Sequence, residues 1–549
     1  MLCKMDCDEQ IANIFWADAK MIVDYARFGD VITFDTTFGT NKEYRPFGVF
    51  VGFNHFRETV IFGAALMYDE TFESFKWLFE TFLKAHNGKQ PQTIYTDQDS
   101  AMGKAVEEVF TESWHGLCTF HIMENAIKHL SQQENEGSSI LSDFSACMFE
   151  YEDMADFEET FDTMRSKMHK QTWLDSIYKF KEKWAECYMN DVYTLGMRST
   201  QLSESLNSDL KDHFKSDFDI IRFLNHFERV VQLKRDKELN SLFESMKKLS
   251  RIKMRTPILL QASKLYTPII FEAFQAEYEH SMAACARVLD GDNEYLITIR
   301  DEDLAFEEEY KVIGNPSEQT ALCSCGQFIR IGILCSHALK VLDLMNIKSL
   351  PTHHVLKRWT HEARHGSIQD NQGRSIVENP RFNAMLRYKY LTHKFLILAN
   401  EAASSPECCL LVDNTLNILA KQVENKMAAS LDTTSGDPCT TTVDIQPSNV
   451  SLTNARLKKK EVHSRASKRT RTWFDKKRRV RRKKKGTTTS QGKKTKRQEA
   501  GNDGLDAQAA KDNTSGNNNK DFEQYGVINT FTQLLMCPSI SDLCTEDLF

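Results

Sequence analysis

Four potential metal ligands lie within 15 residues of one another: Cys323, Cys325, Cys335 and His337, in the spacing Cys-x-Cys-x9-Cys-x-His. Three thiolates and one imidazole satisfy tetrahedral Zn²⁺ and leave no position open for a substrate, so the pattern predicts a structural zinc site. The alternative is four unliganded side chains, but the other ten cysteines are scattered without such bunching. Because so short a segment has little core of its own, we expect zinc binding to contribute directly to its folding.

Three acidic residues, Asp35, Asp97 and Glu204, are candidates for a different metal chemistry. Mg²⁺ prefers hard oxygen ligands, and two Mg²⁺ ions can hold the attacking and leaving oxygens of a phosphodiester. Glu204 is the candidate for a third carboxylate because a helix would place it on one face with Asn207. The competing interpretation is that acids at strand ends are turn or cap residues, which is common in a chain with 77 acidic residues.

The elements expected around these acids would bring two of them together. Strands are predicted at 31–35, 47–53, 59–67, 93–97 and 114–120, and helices at 73–86, at 99–110 with Asp99 as the N-cap, and from about 121. This order is typical of an RNase H-like α/β domain, in which the first and fourth strands lie side by side. Asp35 and Asp97 close those two strands and would therefore emerge at the same end of the sheet.

The chain is long enough for several units, since 549 residues exceed what one hydrophobic core usually supports. We predict an α/β fold with an RNase H-like core, a large helical insertion, a small zinc finger and a disordered basic tail. The predicted segments are the first part of the core at 1–130, the insertion and closing helix at 131–285, the finger at 300–345, a helical extension at 346–424 and the tail at 425–549.

Positive charge is concentrated in one part of the predicted tail. Residues 456–497 hold 21 Lys and Arg and only 2 acids, which leaves 49 basic against 75 acidic residues elsewhere. Within 456–485, the basic residues proposed as a nuclear signal are Lys476, Lys477, Arg478, Arg479, Arg481, Arg482, Lys483, Lys484 and Lys485. The run is interpreted either as a signal read by importin or as an arm with sequence-independent affinity for phosphate, and a merely solvated charge run is the third alternative.

Other sequence features indicate the cellular compartment of the protein. No apolar run approaches the ~18 residues of a spanning helix, so no membrane partner is expected. The first residues lack a secretory signal, and the cysteines outside the four-ligand motif are irregularly spaced. We therefore expect a reducing compartment, and together with the basic run this favours the nucleus.

Several motifs, in order, resemble a Mutator-like transposase domain, most closely its domesticated form in the far-red-impaired-response family of plant transcription regulators. The segments that carry the resemblance are Phe15-Trp-Ala-Asp-Ala, Gly29 to Phe38, Pro46-Phe-Gly-Val-Phe-Val-Gly, Thr96-Asp-Gln-Asp-Ser-Ala-Met102 and Cys118-Thr-Phe-His121. The similarity extends from about residue 12 to residue 360, and the four-ligand motif resembles the SWIM zinc finger that follows the transposase domain in this family.

The resemblance implies roles for particular residues. Asp35, Asp97 and Glu204 would be the ancestral catalytic triad, and Cys118 with His121 the Cys-x-x-His pair after the second acid. From the residues alone, an ordinary core cysteine and a helix-capping histidine are favoured over a pair of ligands. Family members usually carry a Cys/His DNA-recognition domain ahead of this segment, whereas about 12 residues precede it here. We therefore expect either a truncated gene model or a chain that reaches specific DNA through full-length partners.

Three functions are compatible with these observations. The first is a nuclear, zinc-binding regulator of transcription without catalytic activity, whose expected partners are DNA, family-related proteins in homo- or hetero-oligomers, and importin. The second is a protein-interaction subunit that touches DNA only through partners or its tail, since the finger carries few basic residues beyond Arg330 and Lys340. The third is an active transposase that uses two Mg²⁺ ions.

Overall fold

The computed structural model of the 549-residue chain describes residues 2–5, 10–130, 137–168, 172–197, 199, 206, 210, 214–247, 250–289, 293–299, 308–370, 372–376, 388, 391–392, 394–395, 398–399 and 401–432. Glu204, Asn207 and the basic run 456–485 therefore lie outside the described residues. Among the described helices, none combines the length and apolar character needed to cross a membrane.

A seven-stranded mixed sheet forms the centre of the first part of the chain. Its strands are β1 (Leu2–Met5), β2 (Ile11–Trp16), β3 (Val31–Thr37), β4 (Phe47–Phe53), β5 (Thr59–Leu66), β6 (Thr93–Thr96) and β7 (Trp114–Leu117), in the spatial order β1-β2-β5-β4-β3-β6-β7. The pairs from β1 to β3 are antiparallel, whereas β3–β6 and β6–β7 are parallel. The strands predicted at 31–35 and 93–97 correspond to β3 and β6. Their predicted adjacency is confirmed, since β3 lies beside β6.

Helices cover both faces of this sheet. The helices of this part are α1 (Ala19–Phe28), α2 (Phe72–Ala85), α3 (Ser100–Val109) and α4 (Thr119–Leu130). On one face, rings such as Phe34 and Phe50 pack against the apolar sides of α1, α2 and α3. On the opposite face, Phe47, Val49 and Val51 pack against residues from a later helix, because side chains along a strand alternate between faces.

The local signals of this region are confirmed where they depend on short-range contacts. Asp99 caps α3 by accepting a hydrogen bond from the Met102 amide at 2.8 Å. The segment Asn54-His-Phe-Arg57, expected as a hairpin turn between the strands predicted at 47–53 and 59–67, forms that turn, with Asn54 Oδ1 accepting from the amides of Phe56 and Glu58. The strand expected at 114–120 ends earlier, at Leu117, because Thr119 already begins α4.

The middle of the chain is mainly helical. Its helices are α5 (Gly137–Phe149), α6 (Met154–Lys167), α7 (Thr172–Tyr178), α8 (Ile220–Lys247), α9 (Pro257–Leu265) and α10 (Pro268–Ala283). Helices α4 to α7 enclose their own apolar cluster around the fully buried Trp184. Helix α8 instead covers the central sheet, where Phe223 and Phe227 contact Phe47.

A second, antiparallel sheet carries the four-ligand motif. Its strands are β8 (Ala284–Val288), β9 (Glu294–Ile299), β10 (Glu308–Asn315) and β11 (Thr320–Cys323), followed by α11 (Gln327–Ile331) and α12 (Ser336–Leu344). This unit extends upstream of residue 300, the predicted start of the finger, because β8 pairs with β9 from Ala284 opposite Ile299.

The segment predicted as a helical extension first folds back onto the core. It contains the short 3-10 helices Thr352–His354 and Lys357–Trp359, and Trp359 is fully buried. Arg358 reaches Asp30 at 3.0 Å, and Arg364 pairs with Asp24 and Glu238, so this segment is tied to α1 and α8. A long helix, α13 (Pro406–Asp432), follows.

Candidate metal centres

The four ligands of the zinc motif converge in the structure. Cys323 ends β11, Cys325 follows in the turn, and Cys335 and His337 lie at the start of α12. One ligand atom from each lies within 4.8 Å of all the others, and Cys323 Sγ is 3.6 Å from His337 Nδ1. Ligands around tetrahedral zinc are separated by roughly 3.5–3.8 Å, given Zn–S and Zn–N bonds of ~2.3 and ~2.0 Å. The arrangement therefore fits a structural zinc ion.

Backbone amides and neighbouring thiols donate hydrogen bonds to the sulfur atoms at this site. Cys335 is the N-cap of α12, and its sulfur accepts from the Ala338 amide at 3.4 Å. Hydrogen bonds from Cys323 and Cys335 lower the pKa of Cys325 far below the usual value for a thiol, whereas the hydrogen bonds that Cys323 and Cys335 make to that thiolate raise their own pKa values. The donor set is thus prepared for a cation that prefers soft ligands, which is consistent with zinc rather than magnesium.

The finger is anchored to the helical part of the chain. Arg330 of α11 donates to Glu186 Oε1 at 2.6 Å and to the Cys325 carbonyl at 3.1 Å, while its own carbonyl accepts from the amides of Thr194 and Leu195. Gly326 adopts a positive φ of 65°, and a Cβ there would lie 2.5 Å from the Asn190 carbonyl oxygen. The finger therefore packs directly on the segment that follows α7.

Two side chains from other elements form hydrogen bonds with the backbone close to the ligands. The carboxylate of Glu277 in α10 accepts from the Ser336 amide at 2.9 Å, between the ligands Cys335 and His337. Trp359 Nε1 donates to the Ile331 carbonyl at 2.9 Å. These partners lie far away in sequence, so no local signal of the zinc motif pointed to them.

The two acids predicted to meet at the sheet end occupy equivalent levels. β3 and β6 pair in parallel with Val31 opposite Thr93 and Thr33 opposite Tyr95, an offset that places Asp35 level with Asp97. Asp35 is buried and accepts from the Thr36 amide at 2.7 Å. Glu204, the predicted third acid, lies outside the described residues, so the triad stays a prediction.

Asp97 has nearer neighbours that the carboxylate hypothesis did not use. Asp97, Cys118 and His121, here called the sheet-end cluster, offer ligand atoms that all lie within 4.8 Å of one another, and Asp97 Oδ1 closely contacts His121 Nδ1. Burial favours the neutral imidazole, but the charge of Asp97 and hydrogen bonds with Asp97 and Cys118 outweigh it and raise the pKa of His121 to about 12. Cys118 is buried and His121 lies in the first turn of α4, so the interpretation as a core cysteine and a capping histidine stays open beside that of a ligand pair.

Comparison with known proteins agrees with this organisation. Residues 31–125, which hold Asp35 and the sheet-end cluster, match the MULE transposase domain, and residues 310–345 match the SWIM zinc finger. The chain thus combines a transposase-derived domain with a SWIM finger.

Several proteins of Arabidopsis thaliana are similar along most of the chain. The chain is 32% identical to Protein FAR1-RELATED SEQUENCE 5 over 76% of its own length and 54% of that protein, and 30% identical to Protein FAR-RED IMPAIRED RESPONSE 1 over 73% and 48%. It is also 30% identical to Protein FAR1-RELATED SEQUENCE 9, over 65% of this chain and 66% of that protein. The chain belongs to this FAR1 family, and it spans about half the length of the first two relatives.

Proposed function

We propose that the protein is a nuclear, zinc-binding regulator of transcription, built on an RNase H-like transposase core that no longer cleaves DNA. The observation that carries the proposal is the joint match of the MULE domain and the SWIM finger within a chain that resembles FAR-RED IMPAIRED RESPONSE 1 over 73% of its length. The strand order β5-β4-β3-β6-β7, antiparallel and then parallel, supports the RNase H-like assignment.

The charge distribution supports different roles for the acidic core and the basic tail. Outside 456–497 the chain has 75 acidic and 49 basic residues, a balance that disfavours a broad DNA-gripping surface. The basic run would provide importin recognition and salt-dependent contact with phosphate. Sequence-specific promoter binding would then come from family-related partners in homo- or hetero-oligomers.

A protein-interaction subunit is the second candidate, and the finger supplies the observation that favours it. Arg330 is held in an ion pair with Glu186, so it is poorly placed to bind phosphate. Large apolar side chains on the finger sheet are instead exposed: Val288 by 69%, Leu322 by 60% and Ile313 by 46%. Such a surface suits protein contact better than nucleic acid.

An active transposase using Mg²⁺ is the third candidate, favoured by the level placement of Asp35 and Asp97. Against it stands the acidic balance outside 456–497, which disfavours a surface that grips DNA ends, and its third acid, Glu204, lies outside the described residues. A two-ion magnesium site would require mainly oxygen ligands.

A reporter assay tests the preferred proposal. The full chain, fused to a heterologous DNA-binding domain, is expected to change transcription from a reporter carrying that domain's site, whereas the unfused DNA-binding domain leaves it unchanged. A fluorescent fusion of the full chain is expected in the nucleus, and deletion of 456–485 should spread it into the cytoplasm. Deletion of the equally long segment 500–529 provides the control. A reporter that does not respond to a nuclear, zinc-loaded fusion would contradict the regulator.

A further inference from the structure

The end of the central sheet carries a compact group of unlike metal ligands. We propose that Asp97, Cys118 and His121, the sheet-end cluster, bind a second zinc ion, separate from the ion of the finger. Within the described residues, this cluster and the finger are the two groups in which three or more potential ligands converge. The inference goes beyond the proposed function and does not depend on it.

The backbone fixes the positions of these three residues. β6 and β7 pair in parallel with Thr96 opposite Leu117, so Asp97 and Cys118 are the next residues on each strand, and the Cys118 amide donates to the Thr96 carbonyl at 2.9 Å. The chain then turns directly into α4, and the Ile122 amide donates to the Cys118 carbonyl at 3.1 Å. His121, three residues after Cys118, is therefore returned to the same side by one helical turn.

The choice of zinc follows from the ligand types. A thiol, an imidazole and a carboxylate form a mixed soft and borderline set, which suits Zn²⁺ and is unsuited to Mg²⁺. Asp97 Oδ1 and His121 Nδ1 already face each other, and both can ligate a cation that lies between the three groups. Binding requires Cys118 and His121 to lose their protons, so zinc would replace protons in neutralising the cluster.

The cluster differs from the finger in its number of protein ligands. Cys118 is buried, whereas the side chains of Asp97 and His121 are 16% and 20% exposed. Three protein ligands and one open side leave a fourth position for water or for a donor from a partner, whereas the four ligands of the finger fill their site. Because Asp97 is also the second acid of the triad candidate, zinc here would compete with magnesium for that carboxylate.

Zinc stoichiometry of the purified full chain tests the proposal. After gel filtration with a weak chelator, elemental analysis should give two zinc ions per chain for the parent and one for either His121→Gln or Cys118→Ser. Cys147→Ser, which alters another buried cysteine in the cluster between α4 and α7, should retain two. One ion per chain in the parent, unchanged in His121→Gln, would overturn the second site and would show that the group is a metal-free ion pair.

A spectroscopic measurement separates lost ligation from lost folding. The double variant Cys323→Ser/Cys335→Ser disables the finger, so Co²⁺ added to this chain should occupy the sheet-end cluster with a single thiolate. Its sulfur-to-cobalt charge-transfer absorption per ion should be about one third of that in His121→Gln, where the three-thiolate finger is the remaining site. Absence of that band in a double variant whose residues 31–125 stay resistant to proteolysis would contradict the assignment, even though the finger of that variant is unfolded.

Discussion

Arg330 and Glu186 form an ion pair, with Arg330 Nη1 2.6 Å from Glu186 Oε1 and with side chains that are 17% and 7% exposed. The pair joins the zinc finger to the segment that follows α7, across 144 residues of sequence. The pair engages the Arg330 guanidinium within the protein. The finger is consequently part of a shared core rather than a module on a tether, and its ligands and anchors stabilise one another.

Removing the carboxylate of this pair should destabilise the finger. Glu186→Gln leaves the enclosed Arg330 guanidinium without its charge partner, and we expect a loss of about 3 kcal/mol in the free energy of unfolding. Denaturation by urea, followed by tryptophan fluorescence, measures this change. The exposed pair of Lys348 and Asp343 offers a matched control, since Asp343→Asn should cost less than about 1 kcal/mol. Equal effects of the two variants would refute the anchoring role.

Loss of one finger ligand should unfold the region around it. Cys335→Ser removes a buried thiolate from a complete four-ligand site, so we expect one zinc ion fewer per chain and rapid proteolysis within 310–345. Cys285→Ser, an exposed cysteine on β8 in the same sheet, is the control and should keep the parent's zinc content. Equal zinc in Cys335→Ser and the parent would rule out this coordination.

Acid should destabilise the core before the carboxylates titrate. Burial is the main cause that lowers the pKa values of both His55 and His86 to about 3, from 6.5. Between pH 6.5 and 3 the unfolded chain therefore binds protons that the folded chain does not, so stability is present above pH 6.5 and is lost as the pH falls. Each histidine contributes a slope of up to about 1.4 kcal/mol per pH unit.

The slope can be assigned to a residue. The His86 ring contacts the Phe62 carbonyl through Nε2 at 3.1 Å, so His86→Asn keeps a donor while removing the titrating group. The free energy of unfolding of His86→Asn, measured between pH 4 and 6, should change less steeply with pH than that of the parent, by about one proton. The exposed His365→Asn serves as a reference. If the free energy of unfolding of His86→Asn changed with pH as steeply as that of the parent, the buried ring would not account for the acid sensitivity.

The basic run should govern sequence-independent DNA binding. If its charges contact six or more phosphates, the affinity of the full chain for duplex DNA should fall by about 10³ or more between 50 and 200 mM salt. Deletion of 456–485 should flatten this dependence, whereas deletion of 500–529 should not. Fluorescence anisotropy with two unrelated duplexes measures both the slope and the indifference to sequence, and a steep slope in the 456–485 deletion would place the phosphate contacts elsewhere.

The parts of the fold that follow from short-range rules were predictable. The helix cap at Asp99 and the turn between β4 and β5 follow from residue type. The level placement of Asp35 and Asp97 was expected instead from the strand order of an RNase H-like sheet. Strand β2 was not predicted, because it is specified by pairing with β5, where Phe15 lies opposite Ala65. Helix α1 was also missed, although Asp18 accepts from the Met21 amide at 2.8 Å as an ordinary N-cap.

The candidate sites divide in the same way. The four ligands of the finger are close in sequence, so their spacing predicted the cluster that the structure forms. Asp97 and Cys118 meet only through the parallel pairing of β6 and β7, and Arg330 meets Glu186 only through the packing of α11. Spacing carries information about ligands on one turn or one helix, whereas contacts between distant elements depend on the packing of the whole core.

The absence of DNA cleavage is the prediction that separates the regulator from the transposase. With Asp97 held against His121, and with a cluster better suited to zinc than to magnesium, we expect no nicking or strand transfer by the folded, zinc-loaded chain in Mg²⁺ or Mn²⁺. The assay compares the parent with Asp97→Asn and with Asp162→Asn, an exposed acid on α6. Cleavage that persists in Asp162→Asn but is lost in Asp97→Asn would refute the regulator without activity, because it would assign to Asp97 the metal-binding role of an active transposase.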